Sequence, residues 1–224
     1  MKSVLILFYL LMTSLTVFAQ QQRGGGGSIR QSSGTSSKWK FGAGVSYSMM
    51  GKVKYDSAVA PPFTGTADFT YESGFSLELE ARNLTTMSWG FVGVLTADSD
   101  RKITEGNLYT SGANFSYITT DPPKFQTTTV LLNAAYRWNQ FYIPFGVNYS
   151  VFKVTDRSTF VGSSTATGGI NGQAGIGFVV NDSFVTELTY RLTTVKWTQV
   201  SSGVTTTYDK GNLANIFASV RYLF

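Results

Sequence analysis

Residues 130–151 read VLLNAAYRWNQFYIPFGVNYSV. On either side of Asn139-Gln140 the side chains alternate with a period of two. Val130, Leu132, Ala134, Tyr136 and Trp138 oppose Leu131, Asn133, Ala135 and Arg137. Phe141, Ile143, Phe145, Val147, Tyr149 and Val151 then oppose Tyr142, Gly146, Asn148 and Ser150. A period of two places successive side chains on opposite faces of a strand, and two such runs across a two-residue turn form a hairpin. Pro144 interrupts the second run. It lacks the N–H needed for a ladder bond, so a bulge or a local strand end is expected there.

The same texture extends in both directions. Towards the N-terminus, Trp39 to Tyr47 alternates with Lys40, Gly42, Gly44 and Ser46. Phe75, Leu77, Leu79 and Ala81 oppose Ser76, Glu78, Glu80 and Arg82, and Trp89, Phe91, Gly93 and Leu95 oppose Gly90, Val92 and Val94 more weakly. Towards the C-terminus, Ile170 to Phe178 alternates with Asn171, Gln173, Gly175 and Gly177. Phe184, Leu188, Tyr190 and Leu192 alternate with Glu187, Thr189, Arg191 and Thr193. Ile216, Ala218, Val220, Tyr222 and Phe224 alternate with Asn215, Phe217, Ser219 and Arg221. With the opening pair this makes eight strands, an even number. Short turns (83–86, 139–140, 181–183) alternate with long polar stretches, roughly 49–72, 97–123, 155–168 and 199–211. An all-β, eight-stranded, antiparallel up-and-down transmembrane barrel has this arrangement, with short periplasmic turns and four longer extracellular loops.

Aromatic residues sort by strand end. Trp39, Trp89, Tyr136, Trp138, Phe141, Phe178, Phe184, Tyr222 and Phe224 fall nearest the short turns, as a girdle at one lipid–water interface would require. Tyr47, Tyr71, Phe125, Tyr149 and Trp197 are placed to form the opposite girdle. Period alone does not say which face points inward. A soluble lipocalin-like barrel would bury the aromatic face. The other face is rich in Gly, Ser and Asn and poor in Lys and Glu, which better suits the narrow, side-chain-filled interior of an eight-stranded barrel.

Composition agrees with this class. Gly contributes 23 of 224 residues, charged residues are only 14% and aromatics reach 15%, a mixture that favours strands and turns. Lys2, the apolar run Val4–Phe18 and the small-residue site ending at Ala19 read as a cleaved signal peptide over 1–19, too short to span a bilayer. Residues 20–37 are rich in Gly, Ser and Gln and are expected to form a flexible periplasmic tail, leaving 38–224 for the barrel. The net charge of +5 is scattered without a basic cluster, so no nucleic-acid partner is expected. The sequence has no His and no Cys. That removes Ser-His-Asp and Cys-His catalysis and ordinary zinc sites. No enzyme activity, metal or cofactor is expected.

The chain closes on Val220-Arg221-Tyr222-Leu223-Phe224. The terminal Phe, with Val220 and Tyr222 at alternate positions before it, resembles the terminal-strand assembly signal of bacterial outer-membrane proteins. With the strand count, residues 39–224 resemble the small outer-membrane barrel superfamily that includes OmpA-type membrane domains, OmpX and OmpW. The resemblance implies residence in the outer membrane. It also implies contact with outer-membrane lipid and lipopolysaccharide, recognition by the barrel-assembly machinery, and loops able to take a surface ligand.

Charges on the polar strand faces are the candidate site. Glu78, Glu80, Arg82, Arg137, Glu187, Arg191 and Arg221 should all point into the lumen. Charges there are costly unless paired, so a network with Glu78 and Glu80 facing Arg residues is expected. Such a network is either a plug that rigidifies the barrel or a gate on a narrow ion path. Asp56, Asp68, Glu72 and the Asp98–Arg101–Lys102–Glu105 cluster read as solvated loop charges. The functional readings are a structural, envelope-integrity or surface-interaction barrel, a narrow pore or hydrophobic small-molecule channel, and a soluble secreted ligand-binding barrel.

Overall fold

The computed structural model describes residues 39–60, 63–110, 114–117, 123–155, 163–201 and 203–224, which fall within one compact unit, Ser37–Phe224. The predicted signal peptide and tail lie outside these residues. The described residues form thirteen strands and no helix. In chain order they are β1 (Lys40–Ser48), β2 (Gly51–Ala60), β3 (Phe63–Tyr71), β4 (Gly74–Asn83), β5 (Ser88–Asp98), β6 (Arg101–Thr110), β7 (Asn114–Tyr117), β8 (Lys124–Trp138), β9 (Phe141–Thr155), β10 (Ser163–Gly168), β11 (Ile170–Val179), β12 (Phe184–Ser201) and β13 (Val204–Leu223).

The segments assemble into longer passages. β1 and β2 both ladder onto β13 and are joined through Met49-Met50. β3–β4, β5–β6 and β10–β11 are likewise interrupted only at Glu72-Ser73, Ser99-Asp100 and Gly169. Each passage pairs antiparallel with its sequence neighbours, and β13 pairs back onto β1 with Val45 opposite Val220. The eight segments expected from the alternation coincide with β1, β4, β5, β8, β9, β11, β12 and β13. Asn139 takes a positive φ of 53° in the Asn139-Gln140 turn, a conformation that Asn tolerates. At Pro144 the β9–β11 ladder skips from Phe145–Ala174 to Tyr142–Gly177, while on the other side Ala135 stays opposite Pro144. The missing N–H faces β11, and the break falls there.

The four long stretches expected to be polar loops carry β-structure instead. β2 and β3 occupy the first, β6 and β7 the second and β10 the third, while β12 and β13 extend into the last. Alternation persists in these stretches, but its polarity reverses. Lys52 and Lys54 face outward, while Val53 and Tyr55 are buried. Below this reversal the outer face is apolar: Leu77, Trp89, Phe91 and Ile176 are 60–69% exposed, and the interior holds Glu78, Glu80, Asn133, Asn148, Glu187 and Arg221, all under 9%. Above it, Val53, Tyr55, Phe69, Tyr71, Phe125, Trp197 and Tyr208 pack into an aromatic core. Tyr71, Phe125 and Trp197 are therefore core residues and not members of a second girdle; only Tyr47 and Tyr149 of that expected set stand exposed. Their inward register follows from the strand continuing where a loop was expected.

At the short-turn end, rings follow one another along the outer face in stacked, tilted and T-shaped contacts. Phe145–Trp89, Trp89–Tyr136, Tyr136–Trp138, Trp138–Phe141 and Phe141–Phe178 are each within 6.5 Å between centroids. Phe184 and Tyr222 pair at 5.1 Å on the far side of the run.

Candidate functional site

Strand alternation brings the predicted charges together. Glu78, Glu80 and Arg82 follow one another at every second position of β4 and so share its inner face. Glu187 and Arg191 do the same on β12, and Arg221 on β13. Gly44 of β1 lies opposite both Glu78 and Arg221. A Cβ on Gly44 would stand 2.7 Å from Arg221 Cγ, so only Gly lets the arginine cross β1 and reach β4.

Arg221 is the hub. Its Nε donates to Glu78 Oε2 at 2.5 Å, Nη1 donates to Glu80 Oε2 at 2.7 Å, and Nη2 donates to Glu187 Oε1 at 3.2 Å. Arg191 Nη2 reaches the other Glu78 oxygen at 3.3 Å, and its guanidinium lies 3.9 Å from the Phe217 ring centroid. Arg82 Nε pairs with Glu80 Oε1, while its Nη2 donates to Tyr142 Oη at 3.1 Å. Tyr142 Oη in turn donates to Glu187 Oε2 at 2.9 Å, and Thr189 Oγ1 donates to Glu187 Oε1 at 2.8 Å. Three arginines face three glutamates, each nearly removed from solvent. Balanced charge with every carboxylate multiply bonded is the condition under which buried ions are tolerated.

Arg137 stands apart from this set. It is partly exposed at the Asn139-Gln140 turn, where its Nε donates to the Asn139 carbonyl at 2.7 Å. Three residues outside the predicted set belong to the interior. Tyr142 links Arg82 to Glu187. Asp98 and Arg101, read from sequence as loop charges, are buried and paired at 2.9 Å. Asp98 also accepts from Ser76 Oγ at 2.7 Å, and Arg101 lies 5.7 Å from the Phe217 ring centroid. They form a second polar layer between the glutamate–arginine cluster and the aromatic core. Val220, Tyr222 and Phe224 occupy the exposed face of β13 and its end, 48–73% exposed.

The polar interior beneath an apolar outer band is the reverse of a water-soluble barrel. The crystal structure of the outer membrane protein OprG from Pseudomonas aeruginosa superposes with a TM-score of 0.51 at 15% identity, covering 83% of this chain and 95% of that one. The fold resembles that of small outer-membrane β-barrels. Neisserial surface protein A (12% identity, 82% of this chain and 97% of that one) and Ail, the attachment invasion locus protein of Yersinia pestis (14%, 83% and 99%), align with TM-scores of 0.39 and 0.38. No protein-family model and no curated protein matches the sequence.

Proposed function

We propose that the chain is an eight-stranded β-barrel, closed by β1 against β13 and spanning the bacterial outer membrane after export by its 1–19 signal peptide. The short turns face the periplasm and the long hairpins stand outside. Val220, Tyr222 and Phe224 serve as its assembly signal. Its role is structural or in surface interaction, carried by the hairpins, and its lumen is a closed plug. The Arg221-centred cluster carries this reading: a charge-balanced set of Arg–Glu pairs lies across the interior, so an ion passing it would have to break buried pairs. The apolar outer band supports membrane insertion over a soluble carrier, because such a carrier would turn polar side chains to water.

The test has two parts. Detergent-extracted membranes should give a band that migrates faster unboiled and shifts on heating. The purified barrel in a planar bilayer should show no steady conductance. A steady conductance altered by Glu78→Gln would replace the plug with a gated pore.

One observation favours a second role. The hairpin interior is walled by apolar side chains, Val53, Phe69, Phe125 and Trp197 among them, around a cavity of about 20 Å³, so a hydrophobic small molecule would enter only as these side chains move apart. Binding of an apolar fluorophore that is displaced by mutation of Trp197 is the measurement for it.

A further inference from the structure

The polar layer built on Asp98 and Arg101 borders a small cavity of about 20 Å³, lined by Asp98, Arg101, Arg191, Thr193 and Asn215, with Phe217 in its wall. Arg101, Arg191 and Asn215 are only 2–6% exposed. Each keeps a nitrogen with no acceptor among the described residues: Nε of both arginines and Nδ2 of Asn215. Arg101 donates to Asp98 Oδ2 at 2.9 Å and Arg191 to Glu78 Oε1 at 3.3 Å. Two guanidiniums, each rich in N–H donors, thus make one side-chain hydrogen bond apiece.

Acceptors are scarce on this wall. Both Asp98 oxygens are engaged, by Ser76 and by Arg101, and the hydroxyls of Thr129 and Ser150 bond each other at 2.9 Å. Charge is also unevenly shared. The interior pairs four arginines with four carboxylates in all. Yet Glu78, Glu80 and Glu187 all gather on Arg221, and Glu80 also holds Arg82. Arg191 has only the remaining Glu78 oxygen as its counter-ion. The cavity wall itself therefore carries two cations and one carboxylate.

We propose that this cavity is a binding site for a chloride ion. The assignment rests on the closed-plug reading above. A cavity of this size holds one occupant about as large as a water molecule, which excludes phosphate, sulfate and carboxylate ligands. Water would have to place two protons of its own on a wall whose oxygens are largely engaged. A halide only accepts, and the unmet groups here are N–H donors. Burying an ion is costly unless it is paired and hydrogen-bonded. Arg101 and Arg191 supply that pairing, and the low dielectric of the interior strengthens it relative to water. The ion fastens the Asp98–Arg101 layer to Arg191 and so to the Arg221-centred cluster.

Urea unfolding of the full chain in lipid vesicles tests this, with sodium chloride replacing sodium gluconate at constant ionic strength so that screening is matched. Gluconate is too large for the cavity. For one bound ion, each tenfold rise in chloride above half-saturation should lower the unfolding constant by up to about tenfold. Asn215→Asp sets a carboxylate on the cavity wall in the ion's place and should abolish that dependence. Should the variant fail to fold, wild-type crystals grown in bromide should show an anomalous peak in the cavity, and crystals without one overturn the site. Unfolding indifferent to the exchange of salts, or a folded Asn215→Asp barrel that keeps the chloride dependence, overturns the site alone. A steady conductance through the wild type overturns the site together with the plug.

Discussion

Replacing Arg221 by Met tests whether the interior is a dry ion network. The substitution keeps an unbranched chain of similar length, so packing against β1 changes little. It removes the one cation shared by Glu78, Glu80 and Glu187. Four hydrogen bonds are lost, and three carboxylates remain with two arginines. Summing charged bonds at about 1.5–3 kcal/mol each would overshoot, because the guanidinium no longer has to be desolvated. The measured cost of breaking buried pairs, about 3–5 kcal/mol, is the better guide. That lowers the folded-to-unfolded ratio by roughly two to three and a half orders of magnitude. Urea unfolding in lipid vesicles reads it, with tryptophan emission as the signal, since Trp89 stands on the outer face. Arg221→Met combined with Glu187→Gln restores neutrality and should recover part of the loss. An Arg221→Met barrel within about 0.5 kcal/mol of wild type would refute the reasoning, because it would mean that water already solvates these carboxylates.

Leu79→Arg, on the apolar outer face of β4, should cost about 2–4 kcal/mol in the same assay, whereas Thr66→Arg, exposed on β3 above the band, should stay within about 0.5 kcal/mol. Equal effects at the two sites would remove the membrane boundary drawn between them. Tyr142→Phe leaves Glu187 and Arg82 each short of a partner and should cost about 1–3 kcal/mol, seen as a lower urea midpoint. Trp197→Ala empties part of the aromatic core and should cost about 3–5 kcal/mol. Its effect should appear as faster protease cleavage of the hairpins on intact cells, with the heat-shifted band retained.

Strand positions and facing were legible because period-two alternation is strong wherever one face meets lipid and the other a crowded interior. The pairing of Glu78 and Glu80 with arginines could be expected from charge cost alone. Arg137 shows the limit of that logic. Alternation gives its face but not its height, and beside a turn the guanidinium finds the Asn139 carbonyl and water without entering the interior. Asp98 and Arg101 were missed for the converse reason. Their polarity and the Ser99-Asp100 step between them look like a loop, yet β6 continues the ladder of β5 and carries Arg101 inward. The signal available in the sequence was the alternation of Val53 and Tyr55 with lysines, and of Ala67, Phe69 and Tyr71 with Asp68 and Thr70.

That second alternation bears on how one sheet serves two solvents. Each long strand keeps its pleat, and hence its inward and outward sides, from end to end. On the membrane placement proposed above, what changes along it is the medium outside. Hydrocarbon then surrounds the lower half of the strands, so apolar side chains turn outward and the enclosed polar groups must satisfy one another, as Arg221 and its carboxylates do. Water surrounds the upper half of the same strands. Tyr55, Phe69, Phe125 and Trp197 then gain by turning inward, while Lys52, Lys54 and Lys153 remain outside. The reversal falls between Met50 and Lys52 along β1–β2, between Val151 and Lys153 on β9, and between Leu192 and Lys196 on β12. Strands tied into one sheet through β11 and β13 thus reverse together, which is what a planar boundary crossing the sheet imposes and what a local peculiarity of one hairpin would not produce.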